Sequence, residues 1–288
     1  MRWIIGDIHG MLDALVGLVD AVRADDHDAS FFFVGDYVNR GMQSRQVVDY
    51  LLQLDRAQFC RGNHDDVFDY VVNNQCFEYH AEMPTRAQMF DMFLQYGLDN
   101  TLASYGIRGR DVAAVARKPT DQGLDELLKP IPREHRTFFR HLPAHLDQPE
   151  FFVAHARWPI ETTTSEPDFN QLLKSKPWLR HMILWGRFTD SEIGADKRWK
   201  RDGFFGHSPV TMYQAGGKGT GNREYLPLIG PNITLLDTAV ALSTSGRLTA
   251  VCAETRDYIQ TDRAGRKFGK RVLRTVAAAP SEARSVNS

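Results

Sequence analysis

The stretch Ser30-Phe31-Phe32-Phe33-Val34-Gly35-Asp36-Tyr37-Val38-Asn39-Arg40-Gly41 sets the architecture of this chain. Its apolar half shows no polar alternation, which is the pattern of a strand covered on both faces. The run stops at Gly35, and a glycine-flanked loop carrying Asp36, Asn39 and Arg40 follows at once. Upstream, residues 2–5 repeat the pattern and open onto Gly6-Asp7-Ile8-His9-Gly10. Downstream, residues 58–60 open onto Arg61-Gly62-Asn63-His64-Asp65. Between these strands Leu12, Leu15, Leu18, Val19 and Val22, and later Val47, Val48, Leu51 and Leu52, fall on single helical faces. The order is βαβαβ, which predicts an α/β fold with parallel strands and right-handed crossovers.

In such a sheet, ligands bind beyond the carboxyl ends of the strands. Asp7, Asp36 and Asn63 each lie just past a predicted strand, so the fold delivers all three to one edge. Two later runs have the same build: His155-Ala156-Arg157 after residues 151–153, and Gly206-His207-Ser208-Pro209 after Phe204-Phe205. Residues 182–185 are predicted as a strand leading into Arg187, and residues 233–236 and 248–252 as further strands. From 73 to 148 the pattern turns helical, around 85–96, 123–129 and 133–142. This is read as a helical insertion packed over the sheet, within one domain of residues 1–275. Residues 276–288, small and polar, read as a disordered tail. Oxygen and imidazole donors without a thiolate suit a pair of hard-to-borderline divalent ions. Two such ions, about 3.5–4 Å apart, are a standard device for hydrolysing phosphate esters.

Composition narrows the field. The chain has 288 residues, 42% hydrophobic and 25% charged, as for a soluble globular protein. A net charge of −1 argues against nucleic-acid or membrane-surface partners, which call for a basic excess. The first motif begins at Gly6, leaving no room for a signal peptide, and no apolar run approaches the ~18 residues of a spanning helix. Cys60, Cys76 and Cys252 are widely spaced, which predicts reduced thiols and a cytoplasmic location.

The motifs Gly-Asp-x-His-Gly, Gly-Asp-x-Val-x-Arg-Gly and Gly-Asn-His-Asp, with histidines following later, resemble the phosphoprotein phosphatase family of calcineurin-like metallophosphoesterases. The likeness is strong over 2–65 and looser over 155–255. Thr101-Leu102-Ala103-Ser104-Tyr105 and Phe138-Phe139-Arg140-His141-Leu142-Pro143 resemble the bacterial branch that includes symmetrical dinucleoside-tetraphosphatases. The resemblance implies a metallophosphoesterase β-sandwich flanked by helices and holding two divalent ions. Manganese is the first choice; iron and zinc accept the same donors. It implies that Asp7 and His9 bind the first ion, Asp36 bridges, and Asn63, His155 and His207 bind the second. Arg40 and Arg187 would clamp the phosphate, a metal-bridged hydroxide would attack in line, and His64 would protonate the leaving oxygen. Taken singly, Asp7, Asp36 and Asn63 also read as helix N-caps, and His155 and His207 as structural histidines.

Three features depart from the pattern or stand outside it. Asn39 occupies a position where protein phosphatases of this family carry aspartate. Asparagine can accept a hydrogen bond and orient the His64 ring, but it brings no charge. That tilts the expectation toward leaving groups needing less protonation, aryl phosphates and phosphoanhydrides. Arg157 replaces a usual glycine, and reaches either substrate or solvent. Residues 216–221, rich in glycine, read as a flexible loop, and the basic loop of Lys197, Arg198, Lys200 and Arg201 as a solvated one. The expected function is metal-dependent phosphomonoester hydrolysis of protein-phosphatase type, on a phosphorylated protein or a small phosphoester or nucleotide. The alternatives are a symmetrical tetraphosphatase and an inactive phosphopeptide-binding relative.

Overall fold

The computed structural model describes residues 1–75, 77, 83–159, 166–195, 199, 201–213 and 225–272. Strands β1 (Arg2–Ile5), β2 (Ser30–Phe33) and β3 (Ala57–Phe59) pair in parallel. Helices α1 (Leu12–Asp25) and α2 (Ser44–Gln53) make the crossovers. On the other side of β1 the sheet continues antiparallel through β9 (Leu248–Cys252), β10 (Asp257–Thr261) and β11 (Lys267–Val272). A second sheet runs β4-β5-β6-β8-β7. Its β5 (Phe151–Ala154), β6 (Asp202–Phe205) and β8 (Ile233–Leu235) are parallel, between antiparallel edges β4 (His145–Asp147) and β7 (Leu228–Gly230).

The unbroken apolar runs have a simple cause: both faces of each strand are covered. Ile4, Phe32, Val34, Phe151, Val153, Phe204 and Val251 form a dry layer between the sheets. Their sequence neighbours Trp3, Ile5, Phe31 and Phe33 point the other way, against Leu15, Leu18 and Val22 of α1. On the far side, Phe152 and Phe205 pack with Leu179, Ile183 and Ile193. The layers are therefore helix, sheet, sheet, helix. Truncating Phe204, fully buried in the central layer, should cost about 3–5 kcal/mol.

After β3 come α3 (Asn63–Asn73), α4 (Arg86–Leu94), α5 (Leu98–Ser104), α6 (Gly109–Ala116), α7 (Asp121–Leu127) and α8 (Arg133–His141), which extend the core of α1 and α2. The buried Arg61 ties α3 to α8: its guanidinium donates to Asp66 at 2.8 Å, to Asp69 at 3.1 Å, and to the carbonyls of Phe139 and Leu142. Every charge in that cluster has a partner, which a buried ion pair requires.

One predicted strand is a helix. Residues 182–185 are the last turn of α10 (Pro177–Trp185), which lies between α9 (Glu166–Ser175) and α11 (Asp190–Gly194). A four-residue apolar run has no readable period of its own; Pro177 at the first turn and the buried i, i+4 pair Leu179 and Ile183 decide for helix. Residues 216–221 and 276–288, and Lys197, Arg198 and Lys200 of the basic loop, lie outside the described residues; Arg201 pairs with Asp147 at 2.7 Å. Among the described residues no helix is long and apolar enough to cross a membrane.

Candidate metal centre

Six parallel strands, three from each sheet, end at this site. Asp7, Asp36 and Asn63 follow β1, β2 and β3, and His155, His207 and Asp237 follow β5, β6 and β8. The N-caps of α1, α2 and α3 are Met11, Gln43 and Gly62, so neither acid nor Asn63 is a cap. The loops pass through left-handed backbone at His9, Asp36, Asn39, Arg40 and His207, with φ from 48° to 70°. Non-glycine residues adopt such angles at a cost, and they cluster where side chains must be aimed. Packing is tight: a Cβ on Gly206 would stand 2.0 Å from Asp7 Oδ1.

Asp36 is the centre of the cluster. Its Oδ2 lies 3.4 Å from His9 Nε2, and its Oδ1 lies 3.4 Å from His155 Nε2. Asn63 Oδ1 meets His155 Nε2 at 2.9 Å and His207 Nδ1 at 3.0 Å. Asp7 accepts the His207 backbone N–H at 3.0 Å. Asp7, Asp36 and His155 bring ligand atoms within 4.8 Å of one another, and so do His9, Asp36 and His64.

The histidine tautomers test whether cations fit. His9 Nδ1 faces the Val38 carbonyl at 2.9 Å and His207 Nε2 faces the Trp185 carbonyl at 3.1 Å. A carbonyl only accepts, so each of these nitrogens carries the ring proton. The opposite nitrogen is then a bare lone pair: His9 Nε2 against the Asp36 carboxylate, and His207 Nδ1 against Asn63 Oδ1. A second proton does not resolve the contacts, because burial pushes His9 down to about 4 and His207 down to about 3. Acceptors facing acceptors at 3.0–3.4 Å fit a divalent ion as their common partner. His155 behaves differently. Burial opposes its charge, but Asp36 and Asp7 overcome that and push it up to about 9. Its Nε2–H then donates to Asn63 Oδ1 at 2.9 Å.

Behind the donors lies a layer of supports. The buried Asp65 accepts the backbone N–H groups of Asp36, Tyr37 and Gly62 at 2.7–2.9 Å, locking the Asp36 loop to the start of α3. Burial and the Asp36 charge raise Asp65 to about 7. The Asn39 amide nitrogen donates to His64 Nδ1 at 2.9 Å, while Asn39 Oδ1 accepts from the Thr101 hydroxyl at 3.0 Å. Asparagine here is the donor to the ring rather than the expected acceptor, which leaves the His64 proton on Nε2. Burial also holds His64 well below the usual imidazole value.

The arginines divide. Arg40 is half-buried; its field acts on His9 and His64, and its buried Nε has no hydrogen-bond partner among the described residues. Arg187 is exposed at the rim and reaches Ser208 Oγ at 3.2 Å, beside His207. Arg157 takes neither expected course, since it pairs with Glu192 of α11. Asp237, Asp65 and Thr101 are missed by the sequence reading. Asp237 was legible, because an apolar strand ending in an acid repeats the Ile4-Ile5-Gly6-Asp7 pattern. It is buried, and burial raises it to about 6; burial and then the Asp237 charge push the Asp7 carboxyl up.

Comparison with known proteins gives the family. The calcineurin-like phosphoesterase family pattern matches residues 2–232. Over 62 residues, 21% of each chain, the sequence is 42% identical to the symmetrical bis(5'-nucleosyl)-tetraphosphatase of Pseudomonas syringae pv. tomato. Over 95 residues it is 32% identical to the protein of that name from Pseudomonas fluorescens, covering 30% of this chain and 34% of the relative. The chain thus spans about a third or less of the length of these curated relatives. Among solved structures, a cold-active protein tyrosine phosphatase is alike in fold over 93% of this chain and 77% of its own, with a TM-score of 0.50 and 15% identity. The pattern covers most of the chain, which therefore belongs to the calcineurin-like phosphoesterases.

Proposed function

We propose that the enzyme is a phosphomonoesterase of protein-phosphatase type. Asp7, His9 and Asp36 hold one divalent ion; Asp36, Asn63, His155 and His207 hold a second, with manganese the first choice. The observation that carries this reading is the convergence of His155 Nε2 and His207 Nδ1 on Asn63 Oδ1, at 2.9 and 3.0 Å, with Asp36 shared between His155 and His9. Two ions in such a site lower the pKa of a shared water and draw charge from phosphoryl oxygens. The chain supplies the rest. Arg40 and Arg187 clamp the equatorial oxygens with their guanidinium forks. His64 hydrogen-bonds the leaving oxygen through its Nε2–H, with Asn39 fixing the ring from behind.

A second reading, symmetrical tetraphosphate hydrolysis, draws on the 42% identity to a protein named for that reaction. A panel on manganese-reconstituted protein separates the two: phosphotyrosine peptide, phosphoserine peptide and diadenosine tetraphosphate, with Asp36→Asn as the inactive control. Phosphomonoester turnover above tetraphosphate turnover is expected; the reverse order overturns the proposal. Phosphopeptide binding without any turnover would instead make the chain a binding module.

A further inference from the structure

The catalytic loops are not the only elements at this site; the end of α4 reaches it too. Phe93 packs edge-on to the His64 ring at 5.3 Å between centroids, and Tyr96 stands 6.4 Å from it at 88°. Phe93 also contacts Tyr96 at 5.4 Å and Trp185 at 6.1 Å, and Trp185 lies 6.4 Å from His207. Aromatic rings thus line the side of the site running from His64 to His207. Phe93 is buried, whereas Tyr96 is 47% exposed and offers a face to solvent beside His64.

This wall is held in register with the phosphate arginine. Gly97, at φ 88°, packs so closely that a Cβ there would stand 2.2 Å from the Arg40 backbone nitrogen. Asn100 Nδ2 donates to the Arg40 carbonyl at 2.7 Å, and Thr101 Oγ1 accepts the Asn39 N–H at 2.8 Å. Tyr96 adjoins Gly97, so its position follows that of Asn39 and Arg40.

We infer that Tyr96, backed by Phe93, is a specificity residue that favours phosphate esters whose leaving group is an aromatic ring bonded directly to the scissile oxygen. The inference rests on the phosphomonoesterase reading and narrows its substrate class. A leaving oxygen within reach of His64 puts an aryl ring one bond further out, against Tyr96. A seryl leaving group ends in peptide backbone there, with no ring to stack. In a dinucleoside tetraphosphate the base is separated from the scissile bond by a sugar and two phosphates, and passes beyond the wall. Ring pairing at this spacing contributes up to about tenfold in affinity. The leaving group agrees: a phenolate, with a conjugate acid near pKa 10, departs with less help from a proton than an alkoxide does.

The test compares aryl with alkyl ligands in two assays on the manganese-loaded protein. Calorimetry measures phenylphosphonate against methylphosphonate, which lack a cleavable ester, and kinetics measures phenyl phosphate against phosphoserine peptide. Tyr96→Ala should lower the aryl-to-alkyl ratio about tenfold in both assays, and Tyr96→Phe should keep it. Met92→Ala, 44% exposed on α4 just before the turn that carries Tyr96, should leave the ratio alone. An unchanged ratio in Tyr96→Ala, or equal losses for both ligand classes, overturns the inference even if monoesters are hydrolysed. Tyr96-dependent phenylphosphonate binding in a protein that cleaves only tetraphosphates would sustain the wall while refuting the phosphomonoesterase reading.

Discussion

Replacing Asn39 with aspartate puts a carboxylate where the amide now meets His64 Nδ1 at 2.9 Å. The donor would then be the ring, and the pair would favour imidazolium. Charges about 4 Å apart interact by roughly 4 kcal/mol at an effective dielectric constant of 20. Desolvation of the new carboxylate takes part of that, although the Thr101 hydroxyl that now donates to Asn39 at 3.0 Å remains to solvate it. A net rise of about 1–3 pKa units for His64 is expected, against the burial that holds it low now. A proton donor works only when protonated, so the alkaline limb of kcat should move up in pH by the same amount. Turnover of a phosphoserine peptide at pH 7 should rise at least about tenfold, while phenyl phosphate changes by less than about threefold, since a phenolate departs without full protonation. The assay is kcat against pH from 5.5 to 9 for both substrates, with melting temperature as the control for folding. Equal changes for the two substrates, or an unmoved alkaline limb, would refute the role given to Asn39.

Other expectations follow from the same geometry. Asp36→Asn should reduce bound manganese from two ions to at most one per chain by elemental analysis and lower kcat at least about hundredfold; two retained ions would show that Asp36 does not bridge. Gly97→Ala must place a methyl group 2.2 Å from the Arg40 nitrogen, at a left-handed angle that alone costs about 1–2 kcal/mol. It should lower the melting temperature and raise KM for phosphoesters; an unaffected KM would sever the link between the α4–α5 turn and phosphate binding. Manganese uptake by the chelator-treated protein at pH 7.5 should release at least one proton, because His155, raised to about 9, must lose its own to become a ligand. Calorimetry in buffers of different ionisation enthalpy measures this, and a buffer-independent heat would contradict it. A raised histidine pKa stabilises most below the unfolded value near 6.5. The metal-free protein should therefore lose stability in urea as pH rises from 6.5 through about 9, and His155→Gln should flatten that slope.

Much of this fold is legible because its strands are covered twice. A run such as Phe31-Phe32-Phe33-Val34 can be nothing exposed, and the acids and glycines that end such runs mark where the sheet delivers its side chains. The antiparallel extension was harder to see. In β10, Tyr258 and Ile259 are buried beside Gln260 and Thr261, and polar residues in a core position hide a strand from a hydrophobic pattern. Residues 182–185 failed for the opposite reason, being apolar but too short to show a period. The donors lie in glycine-flanked motifs that a linear reading can find. Asp65 and Thr101 act through backbone amides and through Asn39, and Phe93 and Tyr96 reach the site from the end of a helix and the turn after it, some thirty residues beyond the last N-terminal motif. Such contacts exist only once the chain has closed on itself.

The seam between the two sheets is greased with phenylalanine and valine, and apolar layers resist sliding poorly because they lack direction. The donors straddle that seam, with Asp7, Asp36 and Asn63 on one bank and His155 and His207 on the other. An ion bound across it would act as a rivet, so that the proposed machinery for breaking phosphate esters would also be the fastener that keeps both halves of the sandwich in alignment.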